Sequence, residues 1–266
     1  MVNRKDNIMR AVIVGAGMGG LMTALALRQS HVFSSIEVYE QTKEPATAGA
    51  GLNIPPNGAR LCRWLGVDLD GGDPKGPHGA IDGGRAAILE SSRQFNEDGS
   101  RSERPFDHVT AAGDGAGFHH MHRLDLLMCL HKRVSEFGTD SGKPCPITVH
   151  MDSRLTELRQ TADDVTATFS NGLVATGGVL VGADGINSAT LEAAWPSPRP
   201  KRWTEVICFR GLIPRADVAA LRKADGSPLD NNPIDSFSMD RHKTDTSAVT
   251  TYWVRGGELL NDWIAH

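Results

Sequence analysis

The apolar run at residues 11–14, Ala-Val-Ile-Val, breaks into glycines at Gly15, Gly17 and Gly20 and resumes as an Ala- and Leu-rich stretch over 21–27. No other feature narrows the possible folds as much. A short β-branched run is how a buried parallel strand reads, and G-x-G-x-x-G directly after it fits a strand–turn–helix unit. In that unit Gly15 makes the tight turn, Gly17 lets a pyrophosphate approach the backbone, and Gly20 lets helix and strand pack closely. The helix start then presents free N–H groups and the positive end of its dipole to an anion. Glu40 closes the next apolar run, 36–40, about twenty residues after Gly20. A carboxylate there accepts hydrogen bonds from a ribose and repels a 2′-phosphate. Strand, glycines, helix, strand and acid in this order predict that the N-terminal segment binds a dinucleotide.

The 266 residues suffice for one large domain or two modest ones. Charge is nearly balanced, 28 Lys and Arg against 32 Asp and Glu, so no global attraction to nucleic acid is expected. Cys62, Cys129, Cys145 and Cys208 are scattered without C-x-x-C spacing and read as free thiols of a reducing compartment. The longest apolar stretch, 11–27, holds four glycines and is too short to span a bilayer. No small-residue cleavage site follows it, so the expected setting is intracellular and cytoplasmic.

Downstream, residues 59–65 look helical and stop at Gly66. From 67 to 118 periodicity is poor and glycine frequent; within it 85–90 and 102–106 are expected to pair across the turn signal Asn96-Glu-Asp-Gly. Order returns at Arg123-Leu-Asp-Leu-Leu, where Asp125 suits a helix N-terminus and Leu126, Leu127, Leu130, Val134 and Phe137 form a helical apolar stripe. Strands are expected at 147–150, 165–169, 173–175 and 179–181, the middle two joined by the hairpin signal Ser170-Asn-Gly. After the Pro-rich link 196–200, residues 206–213 and 248–254 read as strands of another sheet. The expected fold class is α/β. A Rossmann-like domain occupies 1–195 with an irregular insertion at 67–118, and a partial second sheet occupies 196–266.

Four segments occur in one order: the glycine turn with Glu40, Gly49-Ala-Gly-Leu, Arg123-Leu-Asp-Leu-Leu, and Gly182-Ala-Asp-Gly. Together they resemble the single-component FAD-dependent aromatic hydroxylases, which include salicylate and para-hydroxybenzoate hydroxylases. The likeness extends to Phe209-Arg-Gly-Leu-Ile-Pro and to Tyr252-Trp-Val-Arg-Gly-Gly-Glu-Leu-Leu-Asn, nearly the whole chain. It implies an FAD-binding Rossmann-like domain interleaved with a mixed or antiparallel substrate-side sheet. It also implies hydroxylation of a small aromatic molecule with FAD, NADH or NADPH, and O2. Gly15, Gly17 and Gly20 would hold the FAD pyrophosphate, Glu40 the adenosine ribose, and Gly51 would pass close to the flavin. The Arg123 guanidinium would contact the cofactor, while Asp184 and Gly185 match a motif tied to both FAD and NAD(P)H. As catalytic candidates, Arg210 would fix a phenolate or carboxylate near the flavin and Tyr252 would activate a phenolic substrate. Read as residues alone, Arg210 equally fits a surface ion pair and Tyr252 a half-buried structural tyrosine.

Two departures stand out. Family members carry an Arg within G-A-D-G-x-x-S-x-x-R, where this chain has Leu191. They also carry a third flavin motif, Gly-Asp followed by Ala-Ala-His, and no such run occurs in these residues. A flavin-binding relative without turnover, or an FAD oxidase or dehydrogenase of the same fold, therefore stays open. The run His119-His-Met-His122 invites a metal reading, but spacing places no third ligand. It is expected to be a polar lead-in to the Arg123 helix.

Overall fold

The computed structural model describes residues 9–45, 51–67, 69, 87–88, 91–95, 101–105, 117–195, 197, 208–213, 248–252 and 260–265. The chain divides into two compact units and passes between them repeatedly. The first is Met1–Thr47, Trp64–Val67 and Leu124–Lys201; the second is Ala48–Arg63, Asp68–Arg123 and Arg202–His266.

The first unit is built on a parallel sheet. Its strands are β1 (Met9–Val14), β2 (Phe33–Tyr39), β8 (Ile147–His150) and β12 (Val179–Gly182), in the order β12-β1-β2-β8. Ala11 pairs with Val179 on one side and Ile36 on the other, and Ile36 with Ile147. Helix α1 (Met18–Gln29) joins β1 to β2 and packs on both, burying Gly20, Leu21, Ala24 and Leu25. Crossovers cover a parallel sheet, so its centre is apolar: Ala11, Val12, Ile13, Ile36 and Val38 are all fully buried, while the polar residues of β2 and β8, Glu37 and His150 among them, stay half-buried. Helix α3 (Arg123–Ser135) buries Leu126, Leu127, Leu130 and Val134, with Phe137 just beyond it, the stripe expected from the sequence.

A three-stranded antiparallel meander follows: β9 (Leu155–Gln160), β10 (Val165–Phe169) and β11 (Val174–Gly177). Its inward residues Ala167, Phe169 and Ala175 form one apolar cluster with Val12 and Tyr39. The Tyr39 ring lies stacked between Phe169, 4.0 Å away centroid to centroid, and His150, 4.6 Å away. His150 Nε2 in turn meets Glu37 Oε2 at 2.6 Å. Burial, then the Glu37 charge, push the Tyr39 hydroxyl above its ordinary pKa, with Arg10 opposing.

In the second unit β3 (Gly51–Ile54), β7 (His119–His122) and β4 (Ala87–Ile88) form an antiparallel sheet with β7 in the middle. Strands β5 (Ser91–Phe95) and β6 (Arg101–Pro105) pair antiparallel. A third sheet places β15 (Leu260–Ala265) between β13 (Cys208–Ile213), parallel to it, and β14 (Ala248–Tyr252), antiparallel. Helix α2 (Pro56–Trp64) starts in this unit with Pro at its first turn, where the missing N–H costs nothing. It is followed by Gly66 at φ +78°.

The fold is α/β, a parallel sheet with helices beside antiparallel and mixed sheets. Two local expectations change. The hairpin partner of β6 is β5, not 85–90; residues immediately flanking the turn signal pair first, while Ala87 and Ile88 join β7 instead. The histidine run leads directly into the Arg123 helix, as expected, but does so as strand β7, with His119 fully buried. Among the described residues no helix is long and apolar enough to cross a membrane.

Candidate functional site

Strands β1, β2 and β12 are parallel neighbours, so their C-terminal ends open on one edge. That edge carries Gly15, Glu40 and Asp184. Beyond β1 the chain turns back along α1 to β2, while β12 lies on the other side of β1. In open α/β sheets this reversal of strand order leaves a crevice in which ligands bind.

The glycine turn is explained residue by residue. Gly15 has φ +104°, a left-handed value that favours glycine, and its N–H donates to the Tyr39 carbonyl at 2.7 Å. A Cβ on Gly15 would strike the Ala183 carbonyl oxygen, and one on Gly20 would strike the Gly15 carbonyl oxygen. The chain's own packing therefore demands both glycines. Gly17 is different: its backbone is ordinary (φ −70°, ψ −179°), and among the described residues no atom beyond its chain neighbours lies within 4 Å of where its Cβ would stand. Gly17 opens α1 as its N-cap, yet among the described residues no side chain caps this helix end, and its first turn carries no acid. An uncapped helix start beside an open, Cβ-free surface is suited to an anion.

Glu40 follows β2 and continues its ladder, its N–H donating to the His150 carbonyl at 2.8 Å. Its carboxylate Oε2 accepts the Ala16 N–H at 2.9 Å; Oε1 accepts the Thr42 N–H and hydroxyl, each at 3.0 Å. Glu40 thus ties the end of β2 to the glycine turn. A carboxylate offers about four lone-pair directions, so a further donor remains compatible with these bonds. Burial pulls the His131 imidazole on α3 below its ordinary pKa, with the Glu40 charge opposing.

After β12, Asp184 begins a tight turn. Gly185 has φ +77°, and residues Gly185–Asn187 form one turn of 3-10 helix ahead of α4 (Ala189–Ala194). Asp184 Oδ1 accepts the Ser188 hydroxyl at 2.6 Å, and Oδ2 accepts the Thr190 N–H at 2.9 Å and hydroxyl at 3.1 Å. Burial alone would raise this carboxyl; the bonds from Ser188 and Thr190, with its own backbone, outweigh burial and hold it below the usual range. Leu191, where related sequences were expected to carry Arg, is half exposed. The donors that satisfy Asp184 are Ser188 and Thr190 instead. A Ser ahead of an Ala-rich run is a helix-cap signal, and Ser188 does accept the Leu191 N–H at 2.9 Å. Thr190 left no signal in the sequence.

Six of the singled-out residues (Gly15, Gly17, Gly20, Glu40, Asp184 and Gly185) thus line one sheet edge of the first unit. Gly51 and Arg123 belong to the second, where the β3–β7 register pairs Gly51 with His122, so Arg123 follows directly on Gly51's partner. Arg210 and Tyr252 lie on the strands flanking β15, paired with Asp262 and Asn261 respectively. They occupy neighbouring register positions.

No family model matches the chain. Among curated proteins it is 27% identical to hispidin-3-hydroxylase of Neonothopanus nambi over 274 aligned positions, covering 98% of the chain and 59% of that protein. It is 31% identical to 3-amino-4-hydroxybenzoate 2-monooxygenase PtmB3 of Streptomyces platensis over 215 positions, 80% of the chain and 48% of the relative. The crystal structure of Klebsiella pneumoniae HpxO complexed with FAD and uric acid matches with a TM-score of 0.54 at 26% identity. That match covers 71% of the chain and 43% of HpxO. The chain spans about half the length of the curated relatives it matches. By sequence and by fold, the chain is similar to FAD-dependent monooxygenases.

Proposed function

We propose that the chain binds FAD at the C-terminal edge of its parallel sheet and serves an FAD-dependent monooxygenase that hydroxylates a small aromatic molecule. The observation that carries this reading is Gly17, which no packing among the described residues requires, at the uncapped start of α1 beside Glu40. A diphosphate fits there, its oxygens facing backbone N–H groups and a helix dipole. The adenosine ribose would use the remaining acceptor capacity of Glu40. The relatives, among them FAD-dependent and hydroxybenzoate monooxygenases, support FAD and aromatic substrates. FAD, reduced by NADH or NADPH, supplies the activation of O2.

The protein's own part is to bind, orient and exclude water, since cofactors carry the hard chemistry and open sites waste reactive intermediates. Gly15, Gly17 and Gly20 seat the pyrophosphate, and Asp184 and Gly185 shape the facing turn. Gly51 and Arg123, adjacent through the β3–β7 register, are assigned to the flavin side. Arg210, with a planar fork of donors, would hold a phenolate or carboxylate of the substrate. Tyr252 would accept or donate a proton at a substrate hydroxyl.

The test is reconstitution of the 266-residue chain with FAD, followed by gel filtration and a visible spectrum. A retained yellow chromophore is expected, and colourless protein would overturn the reading. Replacing Glu40 by Ala is expected to weaken FAD by about 1–3 kcal/mol through loss of a half-buried acceptor. Unchanged affinity would remove Glu40 from the ribose site.

A further inference from the structure

The segment after β12 is the wall on which the glycine turn rests. The position a Gly15 Cβ would take lies 2.7 Å from the Ala183 carbonyl carbon and 3.0 Å from the Asp184 nitrogen, and Ala183 N–H donates to Val14 at 2.7 Å. Any drift of residues 183–184 must therefore move Gly15. Thr190 pins this wall. It is 8% exposed, and its methyl and Cβ occupy the space a Gly182 Cβ would need, 2.7 and 2.9 Å away. From there both its N–H and its hydroxyl reach Asp184 Oδ2, while Ser188 bonds Oδ1.

We propose that Thr190 and Ser188 are positioning residues for the dinucleotide site, holding the 183–190 segment through Asp184 so that the glycine turn keeps the shape that receives a pyrophosphate. The proposal rests on the FAD reading for the identity of the ligand, and on geometry for the coupling. A hydroxyl that only capped α4 would affect a six-residue helix. These donors instead act on the carboxylate beside the turn. The Asp184 carboxylate, held below its ordinary range, contributes fully at neutral pH, and that contribution is lost as pH falls toward its lowered value.

The substitution Thr190→Val removes the hydroxyl and keeps the shape; Thr190→Ser keeps the hydroxyl. In FAD titrations of the full chain, Thr190→Val is expected to bind about tenfold more weakly, the worth of a hydrogen bond to a charged group. Its acid limb of affinity is expected to move to higher pH, since a carboxylate that loses a donor is easier to protonate. Thr190→Ser restores both. In the ligand-free chain, hydrogen exchange at the Gly15 and Ala16 amides is expected to quicken about tenfold in Thr190→Val while β10 amides keep their protection. Equal affinity, acid limb and exchange in the Val variant overturn the proposal, as does a Ser variant that behaves like Val. If Thr190→Val fails to fold, Ser188→Ala is read by the same three measurements. An unsubstituted chain that takes up no FAD overturns the functional reading alone, since the exchange comparison still judges the coupling.

Discussion

Glycines that look alike in the sequence have different physical causes. Gly20 is required by the Gly15 carbonyl against which α1 packs, while Gly17 faces space that no other part of the described residues approaches within 4 Å. Gly20→Ala is therefore expected to destabilise the fold by about 3 kcal/mol, an overpacking cost, seen as a lowered denaturation midpoint. Gly17→Ala is expected to leave that midpoint unchanged and to weaken FAD at least about tenfold by blocking close approach of the phosphates. If both variants lose stability equally, Gly17 is a packing residue and its place in the site falls. A second residue-level expectation concerns Cys62, which is buried on α2 and whose thiol burial pushes up to about 11 from 9.0. The folded state favours the protonated thiol, so its contribution is whole below pH 9 and is lost as pH rises from 9.0 to about 11. Stability measured across that window should fall less steeply in Cys62→Ala than in the unsubstituted chain. Alkylation of Cys62 at neutral pH should track unfolding.

Elements whose burial repeats along the chain were legible before folding. Strand β1, helix α1 and strand β2 stand where their apolar runs place them, and the stripe of α3 is buried residue for residue. Strand β9 was not legible, because its residues Leu-Thr-Glu-Leu-Arg-Gln alternate too little, most facing solvent. Pairing with β10 makes it a strand. Likewise β5 is a polar run, Ser-Ser-Arg-Gln-Phe, and only its antiparallel partner β6 gives it a role. Strand β15 carries Asn261 and Asp262 in its middle, so no apolar period announced the central strand of its sheet. The meander depends on one large anchor: Phe169 stacks on Tyr39 and is nearly fully buried. Phe169→Ala is expected to cost about 3–5 kcal/mol in chemical denaturation. A loss under 1 kcal/mol would show that the meander is not coupled to the parallel sheet.

For the whole molecule, the two units hold different halves of the proposed chemistry: the glycine turn, Glu40 and Asp184 in the first, Gly51, Arg123, Arg210 and Tyr252 in the second. If the second carries the substrate side, Arg210→Ala should lower substrate-stimulated NAD(P)H oxidation more than flavin content; equal loss of both would mark Arg210 as structural. The amino-acid order alone carried the α/β class and the strand–glycine turn–helix unit that leads to Glu40, because such a unit is local and its glycines are spaced by backbone geometry. Folding settled what lies far apart in sequence. It set β12 beside β1, so that Asp184 shares an edge with Gly15 and Glu40, and it supplied Thr190 and Ser188 as the donors to Asp184. It also bound Glu40 to Ala16. Such partners are chosen by strand order and close packing, which leave no period in a linear chain, and they separate Gly20, which the packing of α1 needs, from Gly17, which it leaves open.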